Sequence, residues 1–135
     1  MADAPPAADV AAVAEFRAAL RRFMRISERN ARSAGLTPQR YLLLLMIKGA
    51  PKGDQQSTVT ELADRLQLAQ STVTELVGRA EDSGLVERER SVADGRIAHL
   101  RLTAEGERRL AAAFTSNAAE RSALQEAFSH LDVVA

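Results

Sequence analysis

The chain has 135 residues, 46% of them hydrophobic, which is the size of one domain that can bury a core of its own. It contains no cysteine, and this excludes disulfides, thiolate metal sites and thiol-based redox sensing. Its 18 basic and 18 acidic residues balance, so the composition lacks the excess positive charge that is typical of nucleic-acid-binding proteins.

The beginning of the chain has no pattern of an export or anchoring signal. No stretch approaches the ~20 apolar residues that span a bilayer, and no basic segment followed by an apolar run precedes Asp9. We expect a cytoplasmic protein without membrane contact. Residues 1–8, with Pro5 and Pro6, are predicted to form a disordered tail.

Two helices are predicted in the first third of the chain. Asp9 is a suitable N-cap for a first helix, which Gly35 ends. Its apolar residues recur at helical spacing and are Val13, Phe16, Leu20, Phe23 and Met24. Thr37 caps a second helix with Pro38 in its first turn. Residues 41–47 of this helix are apolar on every side, which predicts that other helices enclose it.

A pair of short amphipathic helices follows. Thr58 and Glu61 form a capping box at the start of the third helix. After a break at residues 67–69, a fourth helix begins near Gln70. The two helices place on their inner faces Val59, Leu62, Ala63 and Leu66, and Val73, Leu76, Val77 and Ala80, respectively. Two such helices with a tight connection predict a helix-turn-helix unit.

A β-hairpin and two further helices complete the prediction. Gly84 ends the fourth helix, and segments 85–90 and 96–102 flank the turn residues Asp94 and Gly95. The alternation of Ala98, Leu100 and Leu102 with polar residues predicts a strand with one buried face. A fifth helix begins after the cap Thr103, with Leu110 and Phe114 inward, and a sixth carries Leu124, Phe128 and Leu131.

The apolar stripes of the terminal helices have few partners within the chain. The first helix, about 36 Å long at 1.5 Å per residue, also exceeds what a compact winged domain needs. We therefore expect a homodimer in which residues 9–35 and 103–135 of the two copies bury each other's apolar faces across a two-fold axis.

The outer face of the fourth helix has the short hydrogen-bonding groups that fit the major groove of DNA. The candidate DNA-binding residues of this helix are Gln70, Ser71, Thr72, Thr74, Glu75, Gly78 and Arg79. Gly78 would let the backbone approach the duplex, and Glu75, although phosphates repel it, could accept a hydrogen bond from a cytosine amino group. The alternative is that the hydroxyl groups only cap and solubilise a surface helix.

Segment 83–106 resembles the wing signature of the MarR family of winged helix-turn-helix regulators. The matching residues are Gly84-Leu85-Val86, Arg88, Asp94, Arg96 and Leu102-Thr103-Ala104-Glu105-Gly106, with Thr60-Glu61-Leu62-Ala63, Ser71-Thr72-Val73-Thr74 and Arg79 upstream. The resemblance implies a mainly α fold of six helices, with a small β-hairpin wing between the fourth and fifth. Residues 9–135 would form one domain, with residues 55–102 as its winged helix-turn-helix part.

The family resemblance also implies how DNA would be read. The fourth helix would enter the major groove, and Arg96 at the wing tip would enter the minor groove, with Asp94 and Arg88 as supporting residues. The alternative is that Arg96 is an exposed turn residue. Ser91 and Val92 stand where Asp-Pro is common in the family, and Gly95 replaces a frequent arginine. We therefore expect weaker DNA binding than the family shows, or a partner other than DNA.

The function implied is that of a sequence-specific transcriptional regulator, a repressor or less often an activator, on a pseudo-palindromic operator. Many relatives release DNA when a small aromatic or phenolic effector binds between the dimerisation helices and the winged part. Phe23, Met24 and Tyr41 are suitable lining residues here, although such residues at helical spacing are more often core. The alternative is a winged-helix protein-interaction module, which the balanced charge, Glu75 and Gly95 favour.

Other chemistry is not indicated. His99 and His130 are too isolated for a metal site, and no cofactor motif, nucleophile elbow, phosphate loop or catalytic pair is present, so we expect no enzyme. Arg17, Arg21, Arg25 and Arg29 recur every four residues of the first helix. A solvated face is favoured over an anion site for them.

Overall fold

The computed structural model describes residues 3–93 and 95–133. Asp94 lies outside the described residues, and its predicted role in supporting the wing therefore stays a prediction. The elements, in chain order, are α1 (Ala7–Ser33), α2 (Pro38–Lys48), α3 (Val59–Leu66), α4 (Gln70–Asp82), β1 (Val86–Arg90), β2 (Ala98–Leu102), α5 (Ala104–Ser116), α6 (Ala118–Ser129) and a final 3-10 turn (His130–Val133). This order is the one that the sequence predicted.

Helix α1 begins earlier than predicted. Its N-cap is Pro6, whose carbonyl accepts hydrogen bonds from the N–H groups of Asp9 (3.1 Å) and Val10 (3.2 Å). The prediction of Asp9 as the cap is wrong, because this acid lies in the first turn, where its charge interacts favourably with the helix dipole. Residues 7 and 8, assigned to the tail, are therefore helical.

Three predicted side-chain caps are confirmed. The Thr37 hydroxyl accepts the Arg40 N–H at 3.2 Å, and Thr58 forms the capping box with Glu61. The Thr103 hydroxyl accepts the Gly106 N–H at 3.1 Å and donates to the Gly84 carbonyl at 2.6 Å. Thr103 therefore joins the start of α5 to Gly84, in the turn between α4 and β1.

The core lies between α2, the helix-turn-helix and the hairpin. Its largest fully buried side chains are Leu43, Leu44, Ile47, Leu62, Leu85, Leu100, Val73, Val77 and Asn117. The prediction that residues 41–47 are enclosed on every side is wrong for Leu42, which is 44% exposed. Leu42 instead lines a small opening between α1 and α2.

The wing is an antiparallel pair in which Val86 is opposite Leu102 and Arg90 is opposite Ala98. Ser57, before α3, adds a third segment, because its N–H donates to the Leu100 carbonyl (3.1 Å) and its carbonyl accepts the Leu100 N–H (2.8 Å). Leu100 is buried and Arg101 exposed, as the alternation predicted. The wing is thus held to the start of the helix-turn-helix.

The terminal helices pack along each other but leave apolar side chains open. Phe16 of α1 meets Phe128 of α6 edge to face, with ring centroids 5.9 Å apart. The prediction that Phe114 points inward is wrong, because Gly106, Leu110 and Ala113 form the buried face of α5 and Phe114 is 44% exposed. Across residues 3–93 and 95–133, no helix is both long and apolar enough to cross a bilayer.

Candidate nucleic-acid interface

Helix α4 separates a buried face from an open one, as predicted. Val73, Leu76, Val77 and Ala80 are buried against the core. The open face carries the candidate residues: Gln70, Ser71, Thr72, Thr74, Glu75 and Arg79 are exposed, and Gly78 is half-buried. The fold therefore brings all seven candidates of this helix to one accessible surface.

The start of α4 is available to an anion. Its N-cap is Ala69, which has no side-chain acceptor for the first backbone N–H groups. The preceding turn is set by Gln67, in the left-handed conformation at φ 56°, whose side-chain amide donates to the Asp64 carbonyl at 2.6 Å. Uncapped N–H groups and the positive end of the helix dipole favour a phosphate at this position.

Glu75 and Arg79 form an ion pair on the open face. Arg79 Nη2 lies 2.7 Å from Glu75 Oε1, and both side chains are about two-thirds exposed, at 65% and 66%. Exposed ion pairs of this kind contribute little to stability. A phosphate could therefore replace the Glu75 carboxylate as the partner of Arg79 at little cost in free energy. Glu75 thus partly neutralises the arginine of α4 in the absence of DNA.

Arginines also hold the wing. Arg88 Nε lies 2.7 Å from Glu81 Oε1, which links β1 to the last turn of α4. Arg90 Nη1 donates to the Gly95 carbonyl at 2.6 Å across the hairpin turn, and the Ser91 N–H donates to the Ile97 carbonyl at 2.8 Å. Arg96 is exposed next to this turn. Sequence reasoning missed Arg90, whose signal was its position at the end of β1.

The cations of α1 are arranged differently. Six of its side chains are exposed arginines with no ion pair or hydrogen bond to any residue that the structure describes: Arg17, Arg21, Arg22, Arg25, Arg29 and Arg32. In the winged part, ion pairs join Arg79 to Glu75, Arg88 to Glu81, and Arg101 to Glu89 (3.6 Å). The positive charge is therefore concentrated away from the candidate DNA-reading surface.

The predicted effector residues lie around one opening between α1 and α2, which we call the slot. Its lining is Phe23, Met24, Ser27, Glu28 and Ala31 of α1 and Pro38, Tyr41 and Leu42 of α2, and its volume is about 90 Å³. The structure thus brings Phe23, Met24 and Tyr41 together, and their role in binding an effector stays a prediction. Tyr41 is 5% exposed, and its hydroxyl accepts a hydrogen bond from the Asn117 amide.

No group of three or more potential metal-binding side chains occurs within the described ranges. His99 lies on β2, and His130 begins the final 3-10 turn.

Comparisons with known proteins agree with this architecture. The sequence model of the MarR family matches residues 34–97, from the end of α1 to the wing. The HTH-type transcriptional regulator YsmB of Bacillus subtilis (strain 168) is 33% identical over 100 residues, which are 71% of this chain and 66% of YsmB. The chain thus spans just under two thirds of the length of this curated relative.

Two similar structures contain DNA. The structure of reduced AbfR bound to DNA is 29% identical, with a TM-score of 0.59 over 73% of this chain and 66% of AbfR. A mutant MarR from E. coli, complexed with operator DNA, is 20% identical, with a TM-score of 0.65 over 85% of this chain and 78% of that one. The latter likeness shows the fold alone.

An amphipathic helix pair followed by a two-stranded wing defines a winged helix-turn-helix protein. The match of the MarR model to residues 34–97 and the relative YsmB then give the particular group: over this part the chain is similar to the MarR family of transcriptional regulators.

Proposed function

We propose that this protein is a cytoplasmic, sequence-specific DNA-binding repressor that a small aromatic or phenolic effector releases from its operator. The observation that carries the proposal is the open face of α4, where hydroxyl and amide side chains are exposed while the opposite face is buried. The occurrence of DNA in the structures of reduced AbfR and E. coli MarR supports it.

The contacts follow from the geometry of the surface. The outer face of α4 enters the major groove, where Thr74 and Glu75 reach base edges and the uncapped N–H groups near Gln70 hold a phosphate. The wing lies against the backbone with Arg96 directed at the minor groove. Arg90 and its bond to the Gly95 carbonyl fix the turn next to Arg96.

Substitution of Arg96 tests the wing contact. Arg96→Ala should lower the affinity for DNA from the gene's own upstream region about tenfold and reduce the slope of log K against log salt by about one. The measurement is a fluorescence-anisotropy titration at several salt concentrations. Arg22→Ala, which removes an exposed cation of α1, is the control and should change neither quantity. Unchanged affinity and slope for Arg96→Ala would disprove the contact.

We also propose the homodimer. The terminal helices expose five large apolar side chains, namely Val10, Val13, Met24, Phe114 and Phe128. Burying such side chains drives association, because each removes apolar surface from water. In the dimer, α4 of each copy would meet one half of a pseudo-palindromic operator, with half-sites about 34 Å apart.

Substitution of Val13 tests the dimer contact. Val13, 47% exposed, lies on the apolar side of α1. Val13→Glu should shift the sedimenting species from two chains to a single chain of 14.6 kDa. Ala11→Glu places the same charge elsewhere on α1, at an exposed position, and should leave the dimer intact. A dimer that survives Val13→Glu would show that the contact lies elsewhere.

A second candidate function is a winged-helix module that binds a protein. The ion pairs of Arg79, Arg88 and Arg101 favour it, because they reduce the positive charge that the winged part offers to DNA. A gel shift at low salt with the upstream region separates the two functions. No shift, together with recovery of a specific partner protein by pull-down, would favour the module.

A further inference from the structure

A buried polar network connects the slot to three segments of the chain. At its centre is Asn117, which is 1% exposed and lies between α5 and α6. Its amide nitrogen donates to Ser27 Oγ of α1 and to Tyr41 Oη of α2, both at 3.3 Å. Its amide oxygen accepts from Asn30 Nδ2 of α1 at 2.7 Å. One side chain thus joins α1, α2 and the α5–α6 junction.

The side chain of Asn117 does not make the hydrogen bond that its position at a helix end favours. Asparagine at a helix N-cap usually accepts a hydrogen bond from the first turn. Here Asn117 is the N-cap of α6, yet its side chain makes no capping bond and turns into the core instead. Because a buried amide must satisfy both its donors and its acceptor, the network fixes the relative positions of the helices that it joins.

The network shares two residues with the slot. Ser27 and Tyr41 both line the slot, and both accept from the Asn117 amide. With a volume of about 90 Å³, the slot has little room unless α2 moves away from α1. Such a movement would act first on the bond between Asn117 and Tyr41.

The bonds of the network differ in length. The bond from Asn30 to Asn117, which joins α1 to the α5–α6 junction, is short at 2.7 Å. The bond from Asn117 to Tyr41, which joins this frame to α2, is 3.3 Å long, just beyond the usual range for such bonds. Within the network, the weaker connection is therefore the one to α2, which also packs on the helix-turn-helix and contacts α5 through the ion pair of Lys48 with Glu107 at 2.9 Å.

We propose that Asn117 is the coupling residue of this protein. A ligand in the slot displaces Tyr41 from the Asn117 amide, and α2 then shifts with the winged part against the frame of α1, α5 and α6. This inference rests on the proposed effector function and names its positioning residue. A ligand acts in this way only through a difference in affinity between the two positions of α2.

The test uses Tyr41→Phe, which removes the hydroxyl but keeps the ring as a wall of the slot. The probe is phenol, the smallest uncharged member of the proposed effector class; the slot's one charged lining residue is the carboxylate Glu28. Phenol should lower the affinity of the unmodified protein for its upstream DNA about tenfold, within the usual range of coupling. In Tyr41→Phe the effect should fall below twofold, although a thermal shift shows that phenol still binds.

Two further variants complete the comparison. Asn117→Ala should lose the response to phenol as Tyr41→Phe does, and Tyr41→Phe covers the case in which Asn117→Ala fails to fold. Ser129→Ala is the matched control, because it also removes a hydroxyl, one that donates to the Glu126 carbonyl on the surface of α6. It should keep the full response. A full response in Tyr41→Phe would overturn the inference and leave the proposed function standing.

A distance measurement makes the test independent of DNA. Because the chain has no cysteine, spin labels can be placed at Asp64→Cys on α3 and Ser122→Cys on α6, with unlabelled chains in excess. Phenol should change this distance in the unmodified protein, and Tyr41→Phe should show the changed distance without phenol. If the protein does not bind DNA, the proposed function is wrong, but the distance between the labels still tests the inference about Asn117. The inference would be overturned if phenol caused no thermal shift. It would also be overturned if phenol caused a thermal shift but left the distance between the labels unchanged.

Discussion

The winged part, residues 55–102, differs from the terminal helices α1 and α6 in how its apolar and charged side chains find partners. The winged part buries most of its leucines and valines, with Val92 as an exposed exception, and pairs Arg79, Arg88 and Arg101 with its own acids. The terminal helices expose large apolar side chains such as Val13 and Phe128, and the arginines of α1 form no ion pair with any described residue. The winged part is thus complete within one chain, whereas the terminal helices have surface for further contacts.

The helix ends do not follow this division. Within the winged part, α3 begins with the capping box of Thr58, whereas α4 begins at Ala69 without a side-chain cap. Outside it, α5 has the cap Thr103, whereas α1 and α6 begin at Pro6 and Asn117 without one. Since a cap contributes about 1 kcal/mol, α1, α4 and α6 depend more on packing than on their own first turns.

The largest effect is expected where α5 enters the winged part. A Cβ atom on Gly106 would clash with the Leu85 carbonyl oxygen, a backbone atom that is also held by a hydrogen bond from the Thr103 N–H. Gly106→Ala should therefore lower the free energy of unfolding by about 3 kcal/mol, measured in urea. Gly78→Ala is the matched control.

The control substitution meets open space. A Cβ atom on Gly78 has no atom within 4 Å, and alanine is the better helix former by about 1 kcal/mol, so Gly78→Ala should raise stability. Equal effects of the two substitutions would show that the winged part is not as closely packed at Gly106 as the structure indicates.

A smaller effect is expected from releasing the arginine of α4. Glu75→Gln removes the carboxylate that lies 2.7 Å from Arg79, so the affinity for non-operator DNA, where the proposed base contact of Glu75 plays no part, should rise roughly fivefold and the salt slope should become steeper by about one. Asp82→Asn removes an equal charge from the exposed end of the same helix and should raise affinity less. If the two variants behave alike, the pairing of Arg79 does not limit binding.

The smallest effect concerns the arginines of α1. Arg25 has Arg21 and Arg29 as like-charged neighbours four residues away on either side. Arg25→Gln should therefore stabilise the protein by about 0.5 kcal/mol at low salt, and the gain should disappear at 1 M salt. Thermal unfolding at both salt concentrations measures this. A loss of stability instead would mean that an acid of a second copy pairs with Arg25.

The order of elements was predictable because its signals are local. The capping threonines, the glycines after α1 and α4, and the spacing of Val73, Leu76 and Val77 each lie within one helix or turn. The open face of α4 followed from the same spacing, because the face opposite a buried stripe must be exposed.

Long-range contacts were not predictable in this way. The pairing of Ser57 with Leu100 joins residues 43 positions apart and leaves no periodic signal. The network around Asn117 joins Ser27, Asn30 and Tyr41 from distant segments, and asparagine between two helices indicates only a cap. Phe114 follows Leu110 by one helical turn, a spacing that did not show where the buried face of α5 ends.

The two hydrogen bonds of Thr103 have a mechanical consequence. The same hydroxyl contacts Gly84, in the turn after α4, and the first turn of α5, so α4 and α5 are joined at one point. A rotation of α5 about its axis would then move the N-terminal end of α4, which is the end far from Thr103. In the proposed dimer, a few degrees of such rotation would change the distance between the two α4 helices on the duplex.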